Sequence, residues 1–227
     1  MQVIPKALRE LPTKLPPGVI IACVSERYEY ANNLLIPKSK IDESQPFKLP
    51  LNARLLVPTP ICKAQMQAFR ADLKVECLMN LSPLKGIELL NKGEFEAMIL
   101  STISATVSGI DGFEFEQIAI NPRELIVDPG QGFVVFLTSE EDIPTRRFLK
   151  QMHKSEVVPV VNSERRLKQL FKDVDTLAAH CYRDNAGNFH LQAAALIENE
   201  LRIRRVSQTT AFEIAERCYE QLMRAND

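Results

Sequence analysis

Between Ala53 and Leu100 the chain alternates short apolar runs with stretches of helical period, and this alternation constrains the fold more than any other feature of the sequence. Leu55-Leu56-Val57 reads as a buried strand, a helix follows through Ala64, Gln65 and Phe69, and Leu73-Lys74-Val75-Glu76-Cys77-Leu78 reads as the next strand. Leu84, Ile87 and Leu90 are three apart and give one apolar face to a helix over 83–91, which leads to a strand at Ala97-Met98-Ile99-Leu100. Apolar residues every three to four positions bury one stripe of a helix, whereas a short unbroken apolar run suits a strand covered on both faces. Parallel strands need crossover connections, and right-handed crossovers lay helices over the sheet. The stretch therefore predicts an α/β unit with a mostly parallel sheet.

The flanks read differently. Residues 1–50 are rich in proline (Pro5, Pro12, Pro16, Pro17, Pro37, Pro46, Pro50) and hold one clear strand, Val19–Val24, too little to bury a core alone. Asp128-Pro129-Gly130-Gln131-Gly132 punctuates the chain before another apolar run at 133–137, and an acidic, proline-containing link at 140–144 marks a domain boundary. Beyond it the pattern predicts a helix over 163–171, strands over 178–182 and 189–195 around the turn Asp184-Asn185-Ala186-Gly187, and a last helix capped near Thr209 or Thr210. That helix sets Ala211, Ile214, Ala215, Cys218 and Leu222 on one face, and the tail reads as a small α+β domain.

Charge narrows the function classes. Lys plus Arg number 28 against 29 for Asp plus Glu, so no net field draws the protein to nucleic acid or an anionic membrane. The one short basic run is Arg202, Arg204 and Arg205. No apolar stretch nears the ~20 residues of a bilayer span, and Pro5 and Glu10 interrupt any signal-peptide core, so a cytoplasmic protein is expected. The five cysteines (Cys23, Cys62, Cys77, Cys181, Cys218) are scattered without a CxxC pair, which argues against a disulfide framework and against a zinc site. His153, His180 and His190 show no ligand spacing, and there is no P-loop, GxGxxG or nucleophile elbow.

Several segments, in order, resemble hydroxymethylbilane synthase (porphobilinogen deaminase), the enzyme family that builds the linear tetrapyrrole of haem synthesis. Lys6-Ala7-Leu8-Arg9-Glu10-Leu11-Pro12 with Leu15-Pro16-Pro17-Gly18 is similar to the family's HSxKDxP and following LPxG, and Ser25-Glu26-Arg27 to its ERxDPRD. Asn91-Lys92-Gly93-Glu94-Phe95-Glu96-Ala97-Met98-Ile99-Leu100 resembles GEYDAIIL, Pro129-Gly130-Gln131-Gly132 the GQG turn, and the stretch ending Ser163-Glu164-Arg165-Arg166-Leu167 the HxxETxxxxxAERAFL helix. The resemblance implies a periplasmic-binding-protein-like βα domain with a remnant of a second one, followed by a small α+β domain. Residues 1–38 and 126–143 would be the remnant of the first cleft domain, 39–125 the second, and 144–227 the cofactor-carrying domain.

What the resemblance implies about chemistry is mostly loss. The family joins four porphobilinogens on a dipyrromethane primer held by a cysteine thioether, and needs a carboxylate, a set of arginines and a thiol. Glu10 falls at the catalytic aspartate and Arg9 at the adjacent lysine; glutamate is one methylene longer, and a displacement of ~1 Å can cost about a hundredfold in rate. The cofactor-binding SSLRR corresponds to Pro58-Thr59-Pro60-Ile61-Cys62, leaving Lys63 next door, and RGNxxTR leaves Lys85 alone, each equally at home on a helix surface. Lysine lacks the guanidinium fork that grips a carboxylate with two bonds. Asp175 stands at the attachment cysteine and cannot form the thioether, while Cys181, six residues on, would need a different loop. The expectation is a catalytically degenerate member with no dipyrromethane. The alternatives are an active synthase, or a non-enzymatic protein binding a small anion, a tetrapyrrole or a partner. The expected partners are a second copy or another chain, joined through about 1–36 and 126–138 and completing the first domain, and porphobilinogen or another small carboxylate.

Overall fold

The structure, a computed structural model, describes residues 3–29, 31–110, 114–171 and 176–224. The chain forms two compact units, Ala31–Val127 with Ala194–Arg202, and Met1–Tyr30 with Asp128–Ala193 and Ile203–Asp227. The C-terminal stretch 144–227 is thus shared between the two units, with 194–202 counting in the one that holds all of the expected 39–125 domain.

In the unit around 31–127 the described residues build a five-stranded sheet. Its strands are β3 (Asn32–Pro37), β4 (Arg54–Val57), β5 (Lys74–Cys77), β6 (Ala97–Ser101) and β7 (Phe115–Ile120), in the order β5-β4-β6-β3-β7. The predicted strands β4, β5 and β6 are parallel, but β3 runs antiparallel to both β6 and β7, so the sheet is mixed. Helices α1 (Pro60–Phe69), α2 (Pro83–Asn91) and α3 (Thr102–Val107) link them. Alternation splits the side chains between two cores: Leu34, Ile36, Leu55, Val57 and Ile99 point one way, Leu35, Leu56, Met98 and Leu100 the other. The helices start where the sequence offers a cap and a proline. Thr59 accepts from the Cys62 N–H ahead of Pro60, and Ser82 from the Lys85 N–H ahead of Pro83.

The other unit holds an antiparallel sheet of β1 (Ile4–Ala7), β8 (Val134–Ser139) and β2 (Val19–Val24), with β8 in the middle and a bulge in β2 between Ile21 and Cys23. The acidic link at 140–144 is a helix start: Asp142 accepts from Thr145 N–H at 3.1 Å and opens α4 (Ile143–Lys150). Helix α5 begins earlier than its sequence pattern suggested, at Val158, and runs to Leu170. Three further strands, β9 (Leu177–Arg183), β10 (Phe189–Ile197) and β11 (Glu200–Gln208), form a meander, and α6 covers Ile214–Met223. The basic run Arg202, Arg204 and Arg205 is part of strand β11. The last helix starts later than Thr209 or Thr210, because Gln208 Nε2 donates to the carbonyls of Thr210 and Phe212 and holds that stretch as a turn.

Candidate functional site

Three of the segments quoted above meet around one buried ion pair. Arg27 follows β2, and Glu164 sits in α5 on the same stripe as Val160, Val161 and Leu167, so the helical period carries a carboxylate into the interior. The guanidinium grips the carboxylate with both terminal nitrogens, at 2.9 Å and 3.1 Å. Cys181 N–H donates to one carboxylate oxygen at 2.7 Å and Gly130 N–H to the other at 2.6 Å. Arg27 in turn donates to the carbonyls of Cys181 (3.0 Å) and Gln131 (2.9 Å), and its guanidinium lies 4.6 Å from the centre of the Phe133 ring. The pair therefore satisfies the N–H and C=O of Cys181 on the free edge of β9, together with an N–H and a C=O of the Gly130-Gln131 turn. Burial raises the Glu164 pKa, and the Arg27 charge and the two backbone N–H groups oppose that shift. Every group facing the carboxylate is a donor, so the arrangement suits the anion. With four of the five Arg27 donors and both Glu164 oxygens engaged internally, this centre holds structure.

The sequence-predicted site residues lie around and apart from it. Arg9 and Glu10 end a 3-10 turn, Leu8–Glu10, in the same unit. Leu8 N–H donates to Phe133 C=O, and Lys168 Nζ on α5 donates to the carbonyls of Arg9 (2.8 Å) and Leu11 (3.2 Å), so the turn is fixed to α5 while the Glu10 side chain faces solvent. Lys63 and Lys85 belong to the other unit, in the first turns of α1 and α2. The Lys85 ammonium is paired with Glu88 at 2.7 Å; Lys85 first, then Lys92, hold the Glu88 carboxyl down at about 2. That is a solvated helix-surface pair. Asp175 lies outside the described residues.

Thiol chemistry has little room. Cys181 and Cys218 are fully buried and Cys23 and Cys62 nearly so, with Cys77 half-buried. Burial pushes the Cys181 thiol well up and the Cys218 thiol up to about 12, far from a reactive thiolate at neutral pH. Neither Cys181 nor Cys218 therefore presents a reactive thiol.

The histidines divide into local tasks. His153 Nδ1 accepts the Val24 N–H, closing the end of β2. His190 bonds Asp184 at 2.9 Å and Ser207 at 2.7 Å across the meander, with Arg205 3.2 Å from the same ring. His180 is buried, and its Nδ1 has no hydrogen-bond partner. Burial, and next the charge of Arg27, hold His180 down at about 3. A histidine kept neutral in the fold but protonated in the unfolded chain contributes stability above about pH 6.5 that is lost as pH falls towards 3. Unfolding free energy is expected to drop by about 2 kcal/mol between pH 7 and pH 5 from this residue, and urea titrations of His180→Phe should lose that part of the acid slope.

Among the described residues no helix is long and apolar enough to cross a membrane, and no group of histidine, cysteine and acidic residues could hold a metal ion.

A family profile described as porphobilinogen deaminase, dipyromethane cofactor binding domain, matches residues 1–147. The porphobilinogen deaminase of Chlorobium phaeovibrioides is 28% identical over 165 residues, 71% of this chain and 49% of the relative. That of Chloroherpeton thalassium is 29% identical over 190 residues, 81% and 57%. The chain spans about half the length of the curated relatives it matches. An amino acid ABC transporter substrate-binding protein from Streptococcus pneumoniae, bound to L-arginine, overlays with a TM-score of 0.37 at 9% identity, covering 57% of this chain and 52% of that one.

Proposed function

Given that the chain belongs to the porphobilinogen deaminase family, we propose that it is a catalytically degenerate member, carrying no covalent dipyrromethane and not polymerising porphobilinogen. The observation that carries this reading is the state of the thiols. By the resemblance Asp175 takes the position where the family attaches its cofactor, and Cys181, the nearest cysteine in sequence, is fully buried with its backbone N–H and C=O both held by the Arg27–Glu164 pair. Moving that thiol to a cofactor would break the edge of β9. Lys85, tied to Glu88, supports the same reading, since the carboxylates of a pyrrole substrate would have to compete for it. What remains suits a binding or partner role in tetrapyrrole metabolism, with a small carboxylate such as porphobilinogen as the candidate ligand and a cytoplasmic location.

Intact-mass spectrometry tests the central point. The mass should equal that of the sequence, and the purified protein should give no colour with Ehrlich's aldehyde reagent; an increment matching a dipyrromethane overturns the proposal. One observation favours the rival synthase reading, namely the solvent-facing carboxylate of Glu10 on its anchored turn. If porphobilinogen is consumed and Glu10→Gln abolishes the turnover, the enzyme is active.

A further inference from the structure

We propose that Asp184, His190 and Ser207 form a serine-nucleophile site on the meander, able to cleave small carboxylic esters. His190 Nε2 lies 2.9 Å from Asp184 Oδ2 and its Nδ1 2.7 Å from Ser207 Oγ, so carboxylate, imidazole and hydroxyl stand in one hydrogen-bonded line. Asp184 directly follows β9, and its carboxylate accepts the Asn188 N–H at 2.8 Å inside the hairpin turn. His190, at the start of β10, stacks on the Tyr182 ring with centres 4.9 Å apart. Arg205 and Ser207 are two apart on β11 and share a face, and Arg205 Nη2 donates to the Tyr182 hydroxyl at 3.0 Å. All five residues belong to one unit, and none of them carries the proposed function above.

The hydrogen bonds settle which nitrogen carries the proton. The His190 bond first, then the Asn188 N–H, holds the Asp184 carboxyl down at about 2, so it is an anion and only accepts. Nε2 therefore carries the proton of the neutral ring. Nδ1 is left as the acceptor, and the Ser207 hydroxyl donates to it, with Arg205 Nη2 at 3.2 Å on the same nitrogen. A nucleophile bonded to a base that a third group orients is the arrangement acyl transfer needs, whatever the fold that carries it. Ser207 Oγ attacks the ester carbonyl carbon as its proton passes to Nδ1; the C–O bond to the alcohol breaks, and the departing alkoxide takes that proton. Water, deprotonated by the same nitrogen, then releases the acid and restores Ser207. Arg205 Nε and Nη1 have no partner among the described residues, so they supply charged donors for the carbonyl oxygen as it gains charge. Ser207 and Arg205 are exposed, which suits small activated esters.

The test gives the full chain p-nitrophenyl acetate and, separately, a fluorophosphonate, which phosphonylates an activated serine with loss of fluoride. Peptide mapping should place the phosphonyl group on Ser207. Ser207→Ala should lose the label and hydrolyse the ester only at background rate, with unchanged circular dichroism because the side chain is exposed. His190→Gln should slow labelling by about a hundredfold or more, the usual worth of a general base. In Asp184→Asn the Asn188 N–H keeps the side-chain oxygen, so the amide nitrogen faces His190 Nε2 and moves the ring proton to Nδ1. Nitrogen NMR shifts of His190 should report that move, and labelling should slow with it, which separates a positioning role for Asp184 from a merely structural one. An unlabelled Ser207, ester hydrolysis at the parent's rate in Ser207→Ala, or labelling indifferent to His190→Gln overturns the proposal.

Discussion

Replacing Arg27 by methionine is expected to lower the unfolding free energy by about 3–5 kcal/mol, the usual cost of stranding a buried charge, out of a total that for most domains is only about 5–15 kcal/mol. Glu164 would keep its two backbone donors but lose the fork that balances its desolvation. The more telling variant is the double one, Arg27→Met with Glu164→Leu. Exchanging a buried ion pair for apolar side chains is often neutral or stabilising, because both charges leave together. Here the pair also serves four backbone groups, the N–H and C=O of Cys181, the Gly130 N–H and the Gln131 C=O. With both side chains gone these groups are left in an apolar interior, at about 1–3 kcal/mol for each one that finds no water. The double variant should therefore be no more stable than Arg27→Met, measured by urea unfolding at pH 7. Recovery of full stability in the double variant would show that the pair does not hold the edge of β9.

The elements that the sequence discloses are those whose burial follows a simple period. β4, β5, α2 and β6 each carry one clean pattern, and the structure places them within two residues of where the pattern does, while α1 starts at Pro60, four residues before the first position read as helical. The hidden ones break a pattern for a physical reason. In β3 both faces are covered, so Leu34-Leu35-Ile36 shows no alternation, and two asparagines and a proline flank it. In β11 charge and burial part company: Arg202 is buried beside Glu200 while Ile203 is half exposed, so the run looks like a basic patch. α4 is amphipathic, yet its acidic, proline-containing start has the composition of a linker, although Asp142 as cap and Pro144 in the first turn are ordinary helix-start signals. At the candidate site, the sequence pattern starts the helix at 163, which leaves Val160 and Val161 outside it and hides the apolar stripe that carries Glu164 inward. That its partner is Arg27, 137 positions away, depends on tertiary packing that no local pattern encodes.

Gly132→Ala is expected to be the most damaging glycine-to-alanine change among the described residues, at no less than about 4 kcal/mol, an exceptional value for one substitution. Gly132 has φ +82°, a region that costs an alanine roughly 1–2 kcal/mol by itself. A Cβ there would also run into the carbonyl of Glu29. That carbonyl cannot easily give way. The neighbouring Tyr28 N–H donates to the Gly132 carbonyl at 2.8 Å, and the Glu29 carboxylate takes a bond from Gln131 Nε2 at 2.7 Å, so the segment is tied to the turn on both sides of the collision. Relief would have to come from shifting the Gly130-Gln131 backbone, which also carries two of the bonds to the Arg27–Glu164 pair. Gly93→Ala is the matched control: it has φ +71° but nothing within 4 Å of the added carbon, so it should show the conformational cost alone. Guanidinium unfolding of the two variants separates the contributions. If Gly132→Ala unfolds at the same denaturant concentration as Gly93→Ala, the close approach of the turn to Glu29 does not constrain the fold.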